Sequence, residues 1–384
     1  MTETSKLLML KRESYEQHGI DSAVRALFDH FGGVGNFIKP GDNVLLKVNL
    51  VMGGKPERCI TTHPSVVRSV ARAVLDAGGR PVIADSPGID PFARAARKSG
   101  FTDVADELSV PCVELTDPVP LHVTEGASFH KIDVARRALD SDVIINMPKM
   151  KTHGQMLLTL GVKNMFGCVV AQRKAEWHHS VGMDRDLFAS LLIDVWNGLR
   201  PAFTIIDGVI GMDGYGPSSG NPFPYGVIAG ARDALVMDFW LCVMLGVRFA
   251  DFPLWRAASK RKMQQCAIDE EDLAGDFPVK HKWNGVDIPK LCSMSVLPFL
   301  SLIPFGRSLE HSLTSRPAQV ADLCIGCGKC VAVCKSEAVS QNGAKLTFNY
   351  KKCIRCYCCH EMCPVRAIEF RDGLLRGLMK FLRR

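Results

Sequence analysis

The chain has 384 residues, of which 47% are hydrophobic and 23% are charged, and its formal net charge is +7. Such a chain can bury a sizeable core and form more than one domain, which excludes a single small module and a chiefly disordered protein. The mean hydropathy of +0.07 gives no support to a polytopic membrane protein.

Fifteen cysteines are the unusual feature of the composition. The segment Met1–Lys6 has no charged region that leads into a long apolar stretch. We therefore expect a cytoplasmic protein whose clustered cysteines bind metal rather than form disulfides. No nucleic-acid partner is expected.

Beginning at Asn43, short apolar runs alternate with amphipathic segments of helical length. This pattern predicts an α/β fold, with a mostly parallel sheet and flanking helices. The predicted strands cover residues 43–50, 80–86, 142–147, 203–209 and 225–229, and the predicted helices cover 63–77, 185–199 and 233–245.

Four regions follow from these patterns. We predict an α/β domain over residues 1–246, an extension or connector packed on it over 247–315, a small α+β ferredoxin-like domain over 316–371, and a basic amphipathic tail over 372–384.

Polar side chains follow the predicted strands. The first strand ends with Lys47 and Asn49 on one face, because strand side chains repeat every two residues. Ligands of parallel sheets bind where strands end and loops begin. Lys47 is thus a candidate ligand-binding residue, although a solvated edge lysine fits the sequence equally well.

The strongest polar motif of the α/β region extends from Asn146 to Gly167. Lys149, Lys151 and His153 occupy alternate positions, and Lys163 and Asn164 follow ten residues later beside glycine. Ammonium groups and an orienting amide suit an anion such as a phosphate, a carboxylate or a nucleotide, and a histidine can act as a general acid. We take His153 and Lys151 as candidate catalytic residues, and Lys149, Lys163 and Asn164, with Lys47, as candidate ligand-binding residues; a solvated basic loop is the alternative.

These motifs resemble the domain-of-unknown-function family 362, which is commonly found fused to a two-cluster ferredoxin module. The resemblance covers about residues 40–245 and is carried mainly by the Pro-Lys-Met-Lys-Thr-His and Gly-Val-Lys-Asn-Met-Phe-Gly sequences. It implies an iron-sulfur protein without a settled reaction.

Two further features allow more than one interpretation. The glycine-dense segment 208–220 follows a predicted strand and fits a phosphate-binding loop, a flexible lid or a cluster of turns. His178 and His179 fit a metal or proton-transfer pair, but no further ligand stands at metal-binding spacing.

The apolar run 291–305 is shorter than the roughly 20 residues that a membrane-spanning helix needs, and Pro298 and Pro304 interrupt it. No transmembrane span is therefore predicted. The tail 372–384 fits two roles, either peripheral contact with anionic lipid or an acidic partner, or a cap on the preceding domain.

Nine of the cysteines lie between Cys324 and Cys363, and eight of them form two copies of the pattern C-x2-C-x2-C-x3-C. Three thiolates at this spacing surround one cluster while the fourth reaches the other cluster, as in bacterial two-cluster ferredoxins. We therefore predict two [4Fe-4S] clusters, one bound by Cys324, Cys327, Cys330 and Cys363, and the other by Cys353, Cys356, Cys359 and Cys334. Zinc is the alternative metal. Cys358 has no ligand counterpart in the first repeat, where Lys329 aligns with it, and Lys335 stands where the second repeat has Pro364.

The net positive charge of the chain is located in its C-terminal region. Residues 316–384 contain 13 Lys and Arg against 5 Asp and Glu, or +8, which leaves 34 against 35, or −1, for residues 1–315. Because each thiolate-bound cluster carries about −2 when oxidised, the loaded region has a charge of about +4.

The sequence favours an iron-sulfur electron-transfer protein, with an oxidoreductase that passes electrons to an anionic substrate or cofactor as the leading hypothesis. The alternative is a ferredoxin-like carrier, or a protein of cofactor assembly, whose large domain is a docking platform. Either hypothesis implies a redox partner protein.

Overall fold

The computed structural model describes residues 5–88, 90–171, 173–289 and 314–373, and its centre is a mixed β-sheet. The strands of the large domain are β1 (Leu7–Lys11), β2 (Asn43–Lys47), β3 (Arg80–Asp85), β4 (Cys112–Glu114), β5 (Pro118–Pro120), β6 (Asp133–Ala135), β7 (Val143–Asn146), β8 (Lys149–His153), β9 (Leu157–Thr159), β10 (Phe203–Asp213), β11 (Asn221–Phe223), β12 (Val227–Ala231) and β13 (Leu273–Gly275). The main order is β13-β1-β12-β10-β7-β2-β3-β4. Strands β10, β7, β2, β3 and β4 are parallel, whereas β12 is antiparallel to both of its neighbours. The predicted mostly parallel sheet is confirmed.

The central strands are apolar on both faces. Val44, Leu45 and Leu46 in β2 are all fully buried, because helices cover both sides of a parallel sheet. The helices of this domain are α1 (Gln17–His30), α2 (Pro64–Asp76), α3 (Phe92–Lys98), α4 (Phe101–Leu108), α5 (Arg136–Asp140), α6 (Gly161–Asn164), α7 (Arg173–Val181), α8 (Arg185–Leu199), α9 (Ala234–Met244) and α10 (Pro253–Lys260).

Helix α2 shows how local sequence sets these elements. Pro64 occupies its first turn, where a missing N–H costs nothing, and the Nδ1 atom of His63 accepts a hydrogen bond from the Ser65 N–H at 3.2 Å. Its predicted apolar face is buried and consists of Val66, Val67, Val70, Ala71 and Val74. The predicted helix at 185–199 is likewise present as α8.

The sequence-based prediction lacks several of the observed elements, among them β1, α1 and β13. Strand β1 joins β12 to β13 at the far edge of the sheet, so residues 273–275 of the predicted extension belong to the sheet itself. The apolar run 291–305 and residues 374–384 of the tail lie outside the described residues. Within the described part, no helix is both long and apolar enough to cross a bilayer.

The C-terminal domain repeats one small unit twice. Its strands are β14 (Arg316–Gln319), β15 (Val339–Asn342), β16 (Lys345–Phe348) and β17 (Ile368–Arg371), with β14 paired to β17 and β15 paired to β16. Two short helices, α11 (Lys329–Ala332) and α12 (Cys358–Glu361), each lie inside one cysteine motif. The sequence repeat is therefore also a structural repeat.

Candidate redox site between the two domains

The loop after β10 binds the C-terminal domain. The Ser218 hydroxyl donates to the Glu361 carbonyl oxygen at 2.6 Å, Arg366 donates to the Gly220 carbonyl oxygen at 2.5 Å, and the Tyr215 ring stacks on Phe370 with 4.9 Å between centroids. The glycine-dense segment thus forms an interdomain contact.

Ion pairs close the opposite side of the same contact. Lys329 contacts Asp90, and the Lys335 ammonium lies 3.5 Å from the Glu176 carboxylate. Lys335 occupies the position in the first repeat that Pro364 occupies in the second. Its side chain therefore contacts the large domain in addition to its role in the local turn.

Between the domains lies a cavity of about 360 Å³ at the carboxyl ends of β2, β3 and β4. This is the edge at which parallel sheets bind ligands. Residues 49–51, 85–88 and 90–91, with Glu114, Pro217 and several side chains between Thr159 and His178, form the wall of the large domain. The wall of the C-terminal domain includes Val333, Cys358, Glu361 and Met362, all close in sequence to predicted cluster ligands.

Lys163 and Lys174 bring positive charge to this cavity. The Lys163 side chain is half-buried, and its Nζ makes no hydrogen bond or ion pair with any described residue. The Lys174 Nζ donates to the Ser86 carbonyl oxygen at 2.6 Å. Burial lowers the pKa of both amines, that of Lys174 to about 8.

Several other charges at the cavity are already paired. Asp85 accepts from Lys47 at 2.9 Å and from the Leu50 and Ser86 N–H groups at 2.6 and 2.7 Å. Lys47 is completely buried, and it also donates to the Val48 carbonyl oxygen at 2.6 Å. This candidate ligand-binding residue is thus committed to internal partners and is absent from the cavity wall.

Lys149 is similarly engaged within the large domain. Its Nζ lies 2.8 Å from the Asp207 carboxylate and donates to the Tyr15 hydroxyl at 2.6 Å. Tyr15 donates to the other carboxylate oxygen at 2.7 Å, and the His63 ring stacks on Tyr15 at 3.5 Å. This network joins β8, β10 and the segment before α1.

Lys151 binds a residue of the cavity wall but does not itself line the cavity. It is completely enclosed and donates to the Asn49 side-chain oxygen at 2.5 Å and to the Ile60 carbonyl oxygen. The Asn49 amide donates to Asn164 at 3.0 Å, and the Asn164 amide donates to Asn146 at 2.8 Å. Burial, with Lys149 and Lys163 nearby, lowers the pKa of Lys151 well below its usual value. Asn49 and Asn164 reach the cavity, whereas Lys151 fixes their orientation.

His153 lies behind Glu361 at the domain boundary. Its Nδ1 accepts from the N–H groups of Gln155 and Met156 at 3.0 and 3.3 Å, so Nε2 carries the proton of the neutral ring. Burial lowers its pKa to about 4. Burial alone would raise the pKa of Glu361, but the facing His153, Lys163 and His178 lower it overall.

The structure separates the predicted histidine pair. His178 is buried against the Phe188 ring at 4.4 Å and lines the cavity, and burial lowers its pKa to about 4. His179 is exposed on the same helix. Within the described ranges, no three His, Cys, Asp or Glu side chains are arranged to hold one metal ion. A metal site at this pair therefore has no structural support.

The cysteines of the two motifs are brought together in a crossed pattern. The wall of one small cavity contains Cys324, Cys327 and Cys330 of the first motif together with Cys363 of the second. The second group consists of Cys353, Cys356 and Cys359 of the second motif together with Cys334 of the first. Cys334 is near enough to Cys353 and Cys359 to interact with them electrostatically. This grouping has the crossed order of ligands that bacterial two-cluster ferredoxins use.

Cys358 is buried beside the second group and faces the interdomain cavity. Sequence reasoning found it only as a spare cysteine, and it missed the cavity roles of Lys174 and Glu361. No sequence signal places Glu361 near His153, because the two residues belong to different domains and 207 positions separate them along the chain.

In the comparisons with known proteins, separate family models match the large domain and the C-terminal domain. A family model described as domain of unknown function (DUF362) matches residues 44–243, and a 4Fe-4S dicluster domain model matches residues 323–368. A thylakoid-associated protein of Synechocystis sp. is 36% identical over 273 residues, which cover 71% of this chain and 83% of that protein. Pyruvate synthase subunit PorD of Thermotoga maritima is 39% identical over 57 residues, which cover 15% of this chain and 58% of that subunit.

Among solved structures, the lactate racemase apoprotein from Thermoanaerobacterium thermosaccharolyticum is 12% identical with a TM-score of 0.39, and the match covers 59% of this chain and 54% of that one. This score is too low to indicate a shared function. The family match and the Synechocystis relative show that the chain belongs to the DUF362 family and that a 4Fe-4S dicluster domain follows its family domain.

Proposed function

We propose that this protein is an iron-sulfur oxidoreductase that passes electrons from a reduced partner protein to a small organic anion bound between its two domains. One observation carries the proposal, namely that both domains build the walls of the same cavity. A carrier that used its large domain only for docking would not need a ligand-sized cavity beside its cysteine motifs.

The proposed cluster ligands are the two crossed groups of cysteines. Cys324, Cys327, Cys330 and Cys363 hold one [4Fe-4S] cluster, and Cys353, Cys356, Cys359 and Cys334 hold the other. Bound clusters supply one-electron transfer. Val333 and Cys358 in the cavity wall directly adjoin Cys334 and Cys359 of the second group, and Met362 adjoins Cys363 of the first, so ligands of both proposed clusters adjoin the wall of the anion site.

The contacts of the large domain refine the roles of its candidate residues. Lys163 binds the anion, and Asn164 and Asn49 line the anion-binding site. Lys151 and Lys149 act as positioning residues, because their ammonium groups have internal partners. His153 holds Glu361 at the domain boundary. The proposal keeps the cytoplasmic location expected from the sequence.

Anaerobic purification followed by mass spectrometry of released small molecules tests this function. We expect an organic anion to co-purify with the wild type and with the control Lys260→Met, whose lysine is exposed on α10, but not with Lys163→Met. The recovered molecule should reoxidise the dithionite-reduced protein. The carrier function replaces this proposal if no molecule co-purifies and the reduced protein gives electrons only to another redox protein.

A further inference from the structure

Three lysines, Lys163, Lys174 and Lys335, line the interdomain cavity, and their partners differ. Neither Lys163 nor Lys174 has a carboxylate within ion-pair distance among the described residues, and Lys174 donates to the Ser86 carbonyl oxygen. By contrast, Lys335 is paired with Glu176. An ammonium group enclosed by protein without a directly bound counter-ion is costly, so both lysines favour a ligand with a negative charge.

The carboxylates at the same cavity offset these two ammonium charges only in part. Asp85 is neutralised by Lys47 and Asp90 by Lys329. Glu361 faces the neutral His153 and offsets part of the Lys163 charge, and Glu114 is exposed at the end of β4. Among the described residues, Lys163 and Lys174 therefore have no ion pair of their own inside the cavity.

Most of the remaining wall is apolar. The large domain contributes Leu50, Phe166 and Ala175, and the C-terminal domain contributes Val333 and Met362. Phe166 is 5% exposed, and its ring is fixed by edge contacts with Phe188 and His178. A fixed aromatic wall favours a flat apolar body over a flexible polar one.

The cavity volume limits the size of the ligand. About 360 Å³ is near the lower end of the range for small-molecule sites. A dinucleotide exceeds this space, and an inorganic anion alone would leave the apolar wall without a partner.

We infer that the cavity binds an organic oxyanion, a carboxylate or a phosphate ester, that carries a flat apolar body. The oxyanion binds at Lys163 with Lys174 as the second charge, and the body lies against Phe166 and extends toward Val333 and Met362. This inference rests on the proposed function in taking the cavity as the substrate site. It adds the class of substrate and its orientation, with the apolar body toward the cysteine motifs.

Calorimetric titration of the anaerobic, cluster-loaded protein with four probes tests the class. The probes are 2-naphthoate, 2-naphthyl phosphate, neutral 2-naphthamide and inorganic phosphate. We expect 2-naphthoate or 2-naphthyl phosphate to bind at least tenfold more tightly than either naphthamide or inorganic phosphate. The tighter of the two naphthyl anions identifies the headgroup.

Two variants assign the ends of the ligand. Lys163→Met should weaken the tighter naphthyl anion by about tenfold to a hundredfold, as expected for one charge-assisted hydrogen bond, while the matched control Lys260→Met leaves it unchanged. Phe166→Leu should weaken the naphthyl anion but not inorganic phosphate. Iron content and circular dichroism establish that each variant is folded and loaded.

The inference is wrong if naphthamide binds as tightly as both anions, if inorganic phosphate does so, or if Lys163→Met leaves the affinities unchanged. These titrations measure binding without electron transfer. Tight anion binding in a protein whose reduced clusters are never reoxidised by a small molecule would overturn the proposed function alone. Reoxidation by a co-purified organic anion that lacks a flat apolar body would overturn this inference alone.

Discussion

The His153 Nε2 and the Glu361 carboxylate lie 3.3 Å apart across the boundary between the two domains. They lack the geometry of a hydrogen bond, and each atom is buried without another hydrogen-bond partner in the described structure. Glu361 also lines the cavity that contains Lys163. The carboxylate therefore links the docking of the C-terminal domain to the charge balance of the ligand site.

Replacement of this carboxylate should strengthen anion binding. We expect Glu361→Gln to raise the affinity for 2-naphthoate about threefold to tenfold, because a negative charge that partly neutralises Lys163 and repels the ligand is removed. Calorimetric titration measures the change. Glu369→Gln, on the same domain but paired with Arg371, is the control. An unchanged or weaker affinity would show that the Glu361 charge does not act on the ligand.

Gly154 sets how closely the domains approach. A Cβ atom at this position would lie 2.7 Å from the Cζ atom of Phe370, and that ring is held by stacking on Tyr357 at 4.0 Å and on Tyr215 at 4.9 Å. We expect Gly154→Ala to weaken 2-naphthoate binding at least tenfold with full retention of iron, because the cavity needs both walls. Gly35→Ala, whose Cβ meets no neighbour within 4 Å, is the control. Wild-type affinity in Gly154→Ala would mean that Phe370 moves aside without disturbing the cavity.

The fold of the central sheet followed from local sequence patterns. Continuous apolar runs such as Val44–Leu46 and the 3.6-residue period of α2 reflect burial next to the same element, so short windows of sequence contain them. The cysteine motifs are also local, because one cluster requires three ligands at fixed spacing.

The cavity was not predictable in the same way. The sequence grouped Lys149, Lys151 and Lys163 as one basic site, but their partners are distant along the chain. Lys149 is neutralised by Asp207, and Lys151 is held by Asn49. Of the three, only Lys163 has no hydrogen bond or ion pair with a described residue, and that difference depends on tertiary contacts that no spacing rule contains.

The spare cysteine distinguishes the two sets of predicted ligands. We expect Cys358→Ser to retain about eight iron atoms per chain, because its spacing excludes it from both clusters, and Cys359→Ser to lose iron from the second cluster. Iron analysis and paramagnetic resonance of the reduced proteins measure the difference. Equal iron loss in the two variants would show that Cys358 is itself a ligand.

Acid should destabilise the protein through buried neutral histidines. Burial lowers the pKa of His178 from 6.5 to about 4, with Glu361, Lys163 and His153 around it. The unfolded chain therefore takes up a proton at a higher pH than the folded chain does. The stability that His178 contributes is complete above about pH 6.5 and is lost as the pH falls from 6.5 toward 4.

The variant His178→Phe removes this titration but keeps an aromatic ring against Phe166 and Phe188. Between pH 7.5 and 5.5 it should lose about 1 kcal/mol less free energy of unfolding than the wild type, since one pKa unit corresponds to about 1.4 kcal/mol. Denaturant unfolding at each pH measures this, with His179→Phe on the exposed side of the helix as control. Parallel pH profiles for His178→Phe and the wild type would show that His178 is not the titrating group.

Lys149 should stabilise the fold without acting in ligand binding. Its ammonium and the Asp207 carboxylate are both completely buried at 2.8 Å, so Lys149→Met leaves a charge without its main partner. We expect this variant to lose about 3–5 kcal/mol of unfolding free energy, and Lys149→Met/Asp207→Asn to recover part of that loss, since the uncompensated charge is gone.

The affinity of the folded Lys149→Met variant for 2-naphthoate should stay within about twofold of wild type, because the ammonium group is absent from the cavity wall. Denaturant unfolding measures the stability and calorimetric titration measures the affinity. A large loss of affinity with little loss of stability would show that Lys149 binds the ligand.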